Sequence, residues 1–169
     1  LDAYREAQYD VLNHKVKSDF PYKEVSPGLW VGQNTHIDST AVIDTPALIG
    51  DNCRIGNRVH IEAGTVIGDN VTIGGDANLK RPIIWNGAIV GEEAQLSACV
   101  ISRGTRVDRR AHVLEAAVVG SLSTVGEEAQ ISPGVRVWPS KKIESGAILN
   151  INLIWGNTAQ RNLFGQRGV

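Results

Sequence analysis

The sequence predicts a mainly β protein in which one short unit is wound into a parallel solenoid of about seven triangular coils, preceded by a short α-helix. Three observations predict it. From Val31 an aliphatic residue recurs every six positions, through twenty-one units that end at Leu149. Four residues after each aliphatic stands a second, mostly small residue, as at Thr35, Ala41, Ala47, Thr65, Ala111 and Ala129. The residue directly after the aliphatic is glycine in two phases of every three units and never in the third. A period of six fits neither the 3.6 of an α-helix nor the 2.0 of a two-sided strand, so each unit must supply a short strand and a corner.

Taken in chain order, residues 1–17 read as an amphipathic helix, with Asp2 as N-cap and Leu1, Tyr4, Ala7, Val11 and Leu12 on one side. A helix of that length is marginal in isolation and should dock on something. Residues 18–30, with Pro21 and Pro27, read as an extended connector. The repeat then occupies 31–149. It shortens to five residues twice, between Leu79 and Ile84 and between Leu96 and Ile101. In the four-residue reading Ile83 is an oversized inward partner, Val100 an ordinary one and Lys141 an exception.

Glycine follows the aliphatic at 32, 50, 68 and 120 in the first phase and at 56, 74, 91 and 126 in the second. The third phase carries Asp44, Glu62, Lys80, Ser97, Leu114, Ser132 and Asn150 there, so the true period is three units. Glycine or Asp after the aliphatic, with Asn, Asp or Gly next, is read as the demand of corners with positive φ. Coils stacked at roughly 4.8 Å give a prism roughly 30 Å tall whose backbone groups pair with the coils above and below. Its interior is a column of Ile, Val and Ala, too narrow for many rings, which accounts for an aromatic content of 5%. Residues 148–156, ILNINLIWG, are expected to close the last coil and hide its strand edges.

Composition narrows the function classes. Seventeen basic residues balance 18 acidic ones, without the cationic excess that nucleic-acid or membrane-surface binding needs. Two cysteines cannot make a disulfide framework, and no apolar run approaches the roughly 20 residues of a membrane span. The expected setting is cytoplasmic, with no nucleic-acid and no membrane partner. A chain that opens at Leu1 without any methionine is expected to be the middle of a longer enzyme.

The units IGDNCR, IGNRVH, IEAGTV and IGDNVT, which run through 49–72, resemble the hexapeptide repeat of left-handed parallel β-helices. The left hand is implied by that resemblance alone, and it departs from the usual right-handed crossover. The phrase LDAYREAQYDVL at 1–12 resembles the helix that follows the catalytic domain of sugar-1-phosphate nucleotidyltransferases, and NLFGQRGV at 162–169 resembles the opening of the phosphohexomutase fold. Together they resemble the layout of mannose-1-phosphate guanylyltransferase-like proteins fused to a phosphomannomutase-like domain. The resemblance implies a linker helix at 1–17 after an absent catalytic domain, a structural β-helix at 31–149, and a cap followed by the start of a further domain at 150–169. It also implies that magnesium belongs to the absent catalytic domain, and that this chain associates with that domain and with copies of itself.

Other chemistries compete with the structural reading. Hexapeptide-repeat acyltransferases use a histidine as general base, and His36, His60 and His112 are available. All three take the sixth place of their units and are expected at water-facing corners; no long loop is present to enclose a substrate. Zinc would need converging ligands, yet His60 and His112 lie three coils apart, roughly 14 Å at strand spacing, and His36 belongs to another face. Cys53 and Cys99 read as buried thiols without a bond. Arg103, Arg106, Arg109 and Arg110 could bind phosphate, though Glu92, Glu93, Asp108 and Glu115 favour a solvated mixed-charge surface. Trp85 and Trp138 replace glycine in the first phase and are expected outside, at an interface or under a helix. The string Ser102-Arg103-Gly104-Thr105-Arg106 resembles a phosphate loop but lacks the strand-to-helix context. No catalytic, cofactor-binding or metal-ligating residue is therefore assigned. The readings left open are a structural domain of a nucleotidyltransferase, a freestanding acyltransferase using acyl-coenzyme A, and a pure scaffold like the nucleotidyltransferase-related subunits of a translation guanine-nucleotide exchange factor.

Overall fold

A computed structural model describes residues 21–154, 156 and 158–159. The predicted helix at 1–17 lies outside the described residues, as does 160–169. No described residue is helical. The chain winds through three flat sheets, and every third strand pairs with the one a coil below, so that a strand, a corner and the next strand always lie on different faces.

Face one holds eight strands. It opens with a hairpin, in which Lys23–Ser26 runs antiparallel to Leu29–Val31. The turn uses the fixed φ of Pro27 and the positive φ of Gly28, 79°. Part of the expected connector is thus the edge strand that covers the first coil. From Leu29–Val31 onward every pairing on this face is parallel, through Ala47–Ile49, Val66–Ile67, Ile83–Ile84, Val100–Ile101 and Val118–Val119 to Arg136–Val137. Face two runs from His36–Ile37 to Thr158–Ala159, and face three from Val42–Ile43 to Ile148–Leu149.

The register stacks like on like. Ile49, Ile67, Ile84, Ile101, Val119 and Val137 stand over one another on face one, and Ile61, Leu79, Leu96, Val113, Ile131 and Leu149 on face three. These aliphatics and small partners such as Ala47, Val59, Ala77, Ala111 and Ala129 form one buried column. At the far end, Leu153 bridges in parallel to Val137 and packs on that column, while Asn152 Oδ1 accepts from the Arg136 amide at 2.9 Å.

Two expectations are corrected. The first concerns glycine. The positive-φ residue is not the one after the aliphatic but the third, at Asn34, Asn52, Arg58, Asn70, Asp76, Glu93, Arg110, Leu122 and Glu128, and at Gly64, Gly87, Gly104, Gly134 and Gly146. The glycines directly after the aliphatic have ordinary φ and answer to the neighbouring coil instead. A Cβ at Gly32, Gly50, Gly56, Gly74, Gly91, Gly120 or Gly126 would stand 2.5–2.7 Å from a backbone atom of the next coil. The absence of glycine in the third phase assigns this close approach to the two corners that follow faces one and two.

The second concerns the five-residue steps. Both remove a residue from the corner between faces three and one, where positive φ moves to Arg81 and Ala98, two places after the aliphatic. The inward partners there are Pro82 and Cys99, whose carbonyls accept from the amides of Val66 and Ile83, as the Thr65 carbonyl does from Leu48. Ile83 and Val100, counted as inward partners, are displaced to the outer side of face one, paired in register with each other.

Candidate functional site

The three histidines sit on strands rather than at corners. Each immediately precedes an inward aliphatic, so strand alternation turns it outward onto a flat face. His36 projects from face two beside Arg54, its register partner, and both line a shallow depression with Asn34 and Asn52. His60 and His112 share face three, separated by Asn78 and Gln95 in the register. His60 Nε2 lies 2.9 Å from Asp44 Oδ2, with side chains 47% and 51% exposed. A general base needs a substrate held in place beside it, and this pair lies on open surface. Among the described residues no three His, Cys, Asp or Glu side chains converge to hold a metal ion.

The arginines are dispersed by the geometry of the coil. Arg103 is at the corner after face one, Arg106 on face two, and Arg109 with Arg110 at the corner after face two. Three of them are held by neighbouring carboxylates. Arg106 meets Asp108 at 2.6 Å, Arg109 meets Glu93 at 3.4 Å, and Arg110 lies 3.6 Å from Glu93 and 3.2 Å from Glu128. Arg58 and Asp76, two coils and one coil before Glu93, continue this column with a two-point contact of 2.7 and 2.8 Å. The hydrogen bonds from Arg58 hold the Asp76 carboxyl below the usual carboxylate range. Since the column neutralises itself coil by coil, it offers a phosphate little unpaired positive charge. The string at 102–106 is a corner and a strand of the prism, with Thr105 turned inward to donate to the Gly120 carbonyl at 2.9 Å.

Cys53 and Cys99 are not joined in a disulfide, and both are fully buried. Cys53 faces the Gly68 carbonyl, 3.0 Å away, and burial pushes its thiol up. At the same corner an acidic ladder climbs the prism. Asp51 Oδ1 accepts from the Gln33 amide at 2.7 Å, Asp69 Oδ1 from the Asp51 amide at 2.7 Å, and Asn86 Oδ1 from the Asp69 amide at 2.8 Å. Tyr22 caps it, donating to Asp69 Oδ1 at 2.9 Å; burial, then that bond, pushes its phenol up to about 12.

Two surfaces stand out. On the edge between faces one and two, Trp85, Leu122 and Trp138 are 42%, 68% and 54% exposed, and Leu122 folds over Gly104, one coil back. The second surface was not read from the sequence. The outer row of face one is Trp30, Leu48, Val66, Ile83, Val100 and Val118 in six successive coils, ending at Arg136. On face two the equivalent row is His36, Arg54, Thr72, Ile89, Arg106, Thr124 and Lys142. The signal is an apolar residue before each first-phase aliphatic from Val31 to Val119, but the five-residue steps hide two of its members.

Comparison with known proteins follows from this geometry. The sequence matches the family described as the EIF2B subunit epsilon LbH (left-handed β-helix) domain over residues 29–131. No curated protein matches by sequence. Solved structures with the same architecture include the UDP-N-acetylglucosamine acyltransferase from Campylobacter jejuni, at 18% identity and TM-score 0.59, covering 79% of this chain and 68% of that one. Another is LpxA, a UDP-N-acetylglucosamine acyltransferase from Bacteroides fragilis 9343, at 19% identity and TM-score 0.69, covering 78% of this chain and 59% of that one. At such identities the likeness is one of fold, a left-handed parallel β-helix of about seven coils. A family match across well over half of the chain, on a prism with this period and register, establishes that the chain belongs to the EIF2B epsilon left-handed β-helix family.

Proposed function

We propose that this β-helix is the structural and self-associating domain of a sugar-1-phosphate nucleotidyltransferase of the mannose-1-phosphate guanylyltransferase type. The parent enzyme joins a sugar 1-phosphate to a nucleoside triphosphate and releases pyrophosphate, with its active site and magnesium in a catalytic domain preceding residue 1. The family match over 29–131 supports the nucleotidyltransferase relation, and the mannose-1-phosphate guanylyltransferase type rests on the resemblances at 1–12 and 162–169. In keeping with it, the histidines of the described prism are dispersed over open faces, and Arg58, Arg106, Arg109 and Arg110 are held in ion pairs. The phrase at 1–12 extends the resemblance toward the catalytic domain.

Self-association is assigned to the edge of Trp85, Leu122 and Trp138. Large apolar side chains protruding together from a rigid edge are what a second copy can bury. Sedimentation of the chain tests this. Concentration-dependent association that Leu122→Asp abolishes is expected, and a monomer at high concentration overturns it. Pyrophosphate release by the full-length parent across nucleotides and sugar phosphates tests the enzymatic half. The acyltransferase reading rests on the His60–Asp44 pair and requires acetyl-coenzyme A turnover that depends on His60.

A further inference from the structure

The apolar side chains on the edge between faces one and two are unevenly placed, and their spacing favours one orientation of a second copy. Counting coils from Val31, Trp85 stands in the fourth, Leu122 in the sixth and Trp138 in the seventh. Both tryptophans take the place directly after the aliphatic of face one, and Leu122 takes the third place of its corner. The first three coils of the same edge are polar, with Gln33, Asn34, Asp51, Asn52, Asp69 and Asn70. The last four hold the apolar side chains, with Arg103 as the one charge of their corners.

On the basis of the self-association assigned to this edge, we propose that two copies of the chain meet along it antiparallel. The two-fold axis crosses the edge between the fifth and sixth coils. Such an axis exchanges the fourth coil with the seventh and the fifth with the sixth, while each place of a corner faces the same place in the other copy. Trp85 of each copy then lies against Trp138 of the other, at the two ends of a contact roughly 14 Å long. No other height of the axis opposes both tryptophans to a tryptophan. Leu122 supplies the centre. Its Cδ2 lies 2.7 Å from where a Cβ on Gly104 would stand, so the side chain leans over the fifth coil toward the axis, and the leucines of the two copies meet there. From their exposures, the three side chains of both copies offer on the order of 700 Å² of apolar surface, a little under half of a standard interface. Ser102, Arg103 and Ser121, which lie between them, complete the contact.

Charge disfavours the parallel alternative. With the axis running along the prism every coil faces its own copy, which sets Asp51 against Asp51, Asp69 against Asp69 and Arg103 against Arg103. Like charges so juxtaposed oppose association. Each tryptophan would also face the residue two places after it in the chain, Gly87 or Ser140, instead of a ring. In the antiparallel pair the three polar coils overhang the end of the other prism, and Arg103 faces Ser121.

Spin-label distances and sedimentation of the full 169-residue chain test the orientation. Cys53 and Cys99 are fully buried, so Gln33→Cys, on the first coil and outside the contact, supplies the accessible thiol on the prism. Two such labels lie nine coils apart in the antiparallel pair, roughly 43 Å, whereas in a parallel pair they share a height and lie within roughly 20 Å. Ser121→Asp gives a second readout. In the antiparallel pair the new carboxylate stands beside Arg103 of both copies and should tighten association about fivefold, since symmetry repeats the exposed ion pair. In a parallel pair it opposes its own copy and weakens association. A dimer with the short label distance, one weakened by Ser121→Asp, or one left intact by Leu122→Asp overturns the antiparallel arrangement while self-association itself stands. An unlabelled chain that stays monomeric overturns both.

Discussion

Replacing Gly91 by alanine isolates the requirement that makes glycine recur on two phases of the coil. Gly91 follows Val90 on face two and has no positive φ, so alanine can adopt its backbone. Its Cβ, however, would stand 2.6 Å from the Arg109 nitrogen and 2.8 Å from the Asp108 carbonyl carbon. Ordinary carbon contacts lie near 3.5–4.0 Å, so roughly 1 Å must be found. It cannot come from a side-chain rotation, because both atoms are backbone of the next coil. That coil is tied on both sides: the Arg110 amide donates to Glu92 O at 2.9 Å, and Arg109 O accepts from the Glu128 amide at 3.0 Å. The upper end of the overpacking range applies, about 3 kcal/mol. For a domain of this size that is a fall in Tm of about 6–12 °C. Gly134→Ala is the control. Its φ is 73° and a Cβ there meets nothing within 4 Å. The left-handed backbone costs about 1–2 kcal/mol, partly offset by about 0.4–1 kcal/mol from a stiffer unfolded chain, leaving about 1 kcal/mol. Urea and thermal unfolding of both variants measure the difference. A loss for Gly134→Ala equal to or larger than that for Gly91→Ala would refute the close-approach argument.

Thr105→Val keeps the shape of a fully buried side chain but strands the Gly120 carbonyl, for an expected loss of about 1–3 kcal/mol in urea unfolding. Ile61→Ala opens a cavity in the second coil of the buried column and should cost about 3 kcal/mol by the same measurement. One of the three tyrosines should ionise late when absorbance at 295 nm is followed with pH. Tyr22 is raised to about 12 because the fold favours its neutral phenol, so the stabilisation is present below about pH 10 and disappears on approach to pH 12. In Tyr22→Phe the late step should vanish. Acetyl-coenzyme A turnover with amine or sugar acceptors is expected at background, and a rate that His60→Ala removes would restore the acyltransferase reading.

Most of the prism is legible in the residues because each coil repeats the same local problem. An inward aliphatic such as Ile61 or Ile131, a small partner such as Ala77 or Ala129, and a phase-locked glycine can be read one unit at a time. What escaped reading are the places where a residue answers to another coil. Gly74 and Gly91 look like corner residues in sequence but are required by a backbone one coil, or about eighteen residues, away. The histidines look like corner residues because they close a six-letter unit, yet the strand begins with them. Ile83 and Val100 were assigned inward because a five-residue step shortens either a strand or a corner, and letters alone do not say which. The arginine cluster at 103–110 has the same origin: adjacency in sequence becomes separation around the coil, while Glu93 and Glu128, distant in sequence, become contacts.

By itself the sequence determined the architecture. A strict period of six with a superperiod of three units has few ways to bury its aliphatics other than stacked triangular coils, since every backbone group inside the stack must find a partner in the coil above or below. Only the tertiary structure decided what each face presents. The corner at which each five-residue step was absorbed fixed the outward row of Trp30, Leu48, Val66, Ile83, Val100 and Val118, and the pairing of coils fixed which charges cancel. Those outcomes depend on register between residues a full turn apart, and register exists only once the coils are stacked.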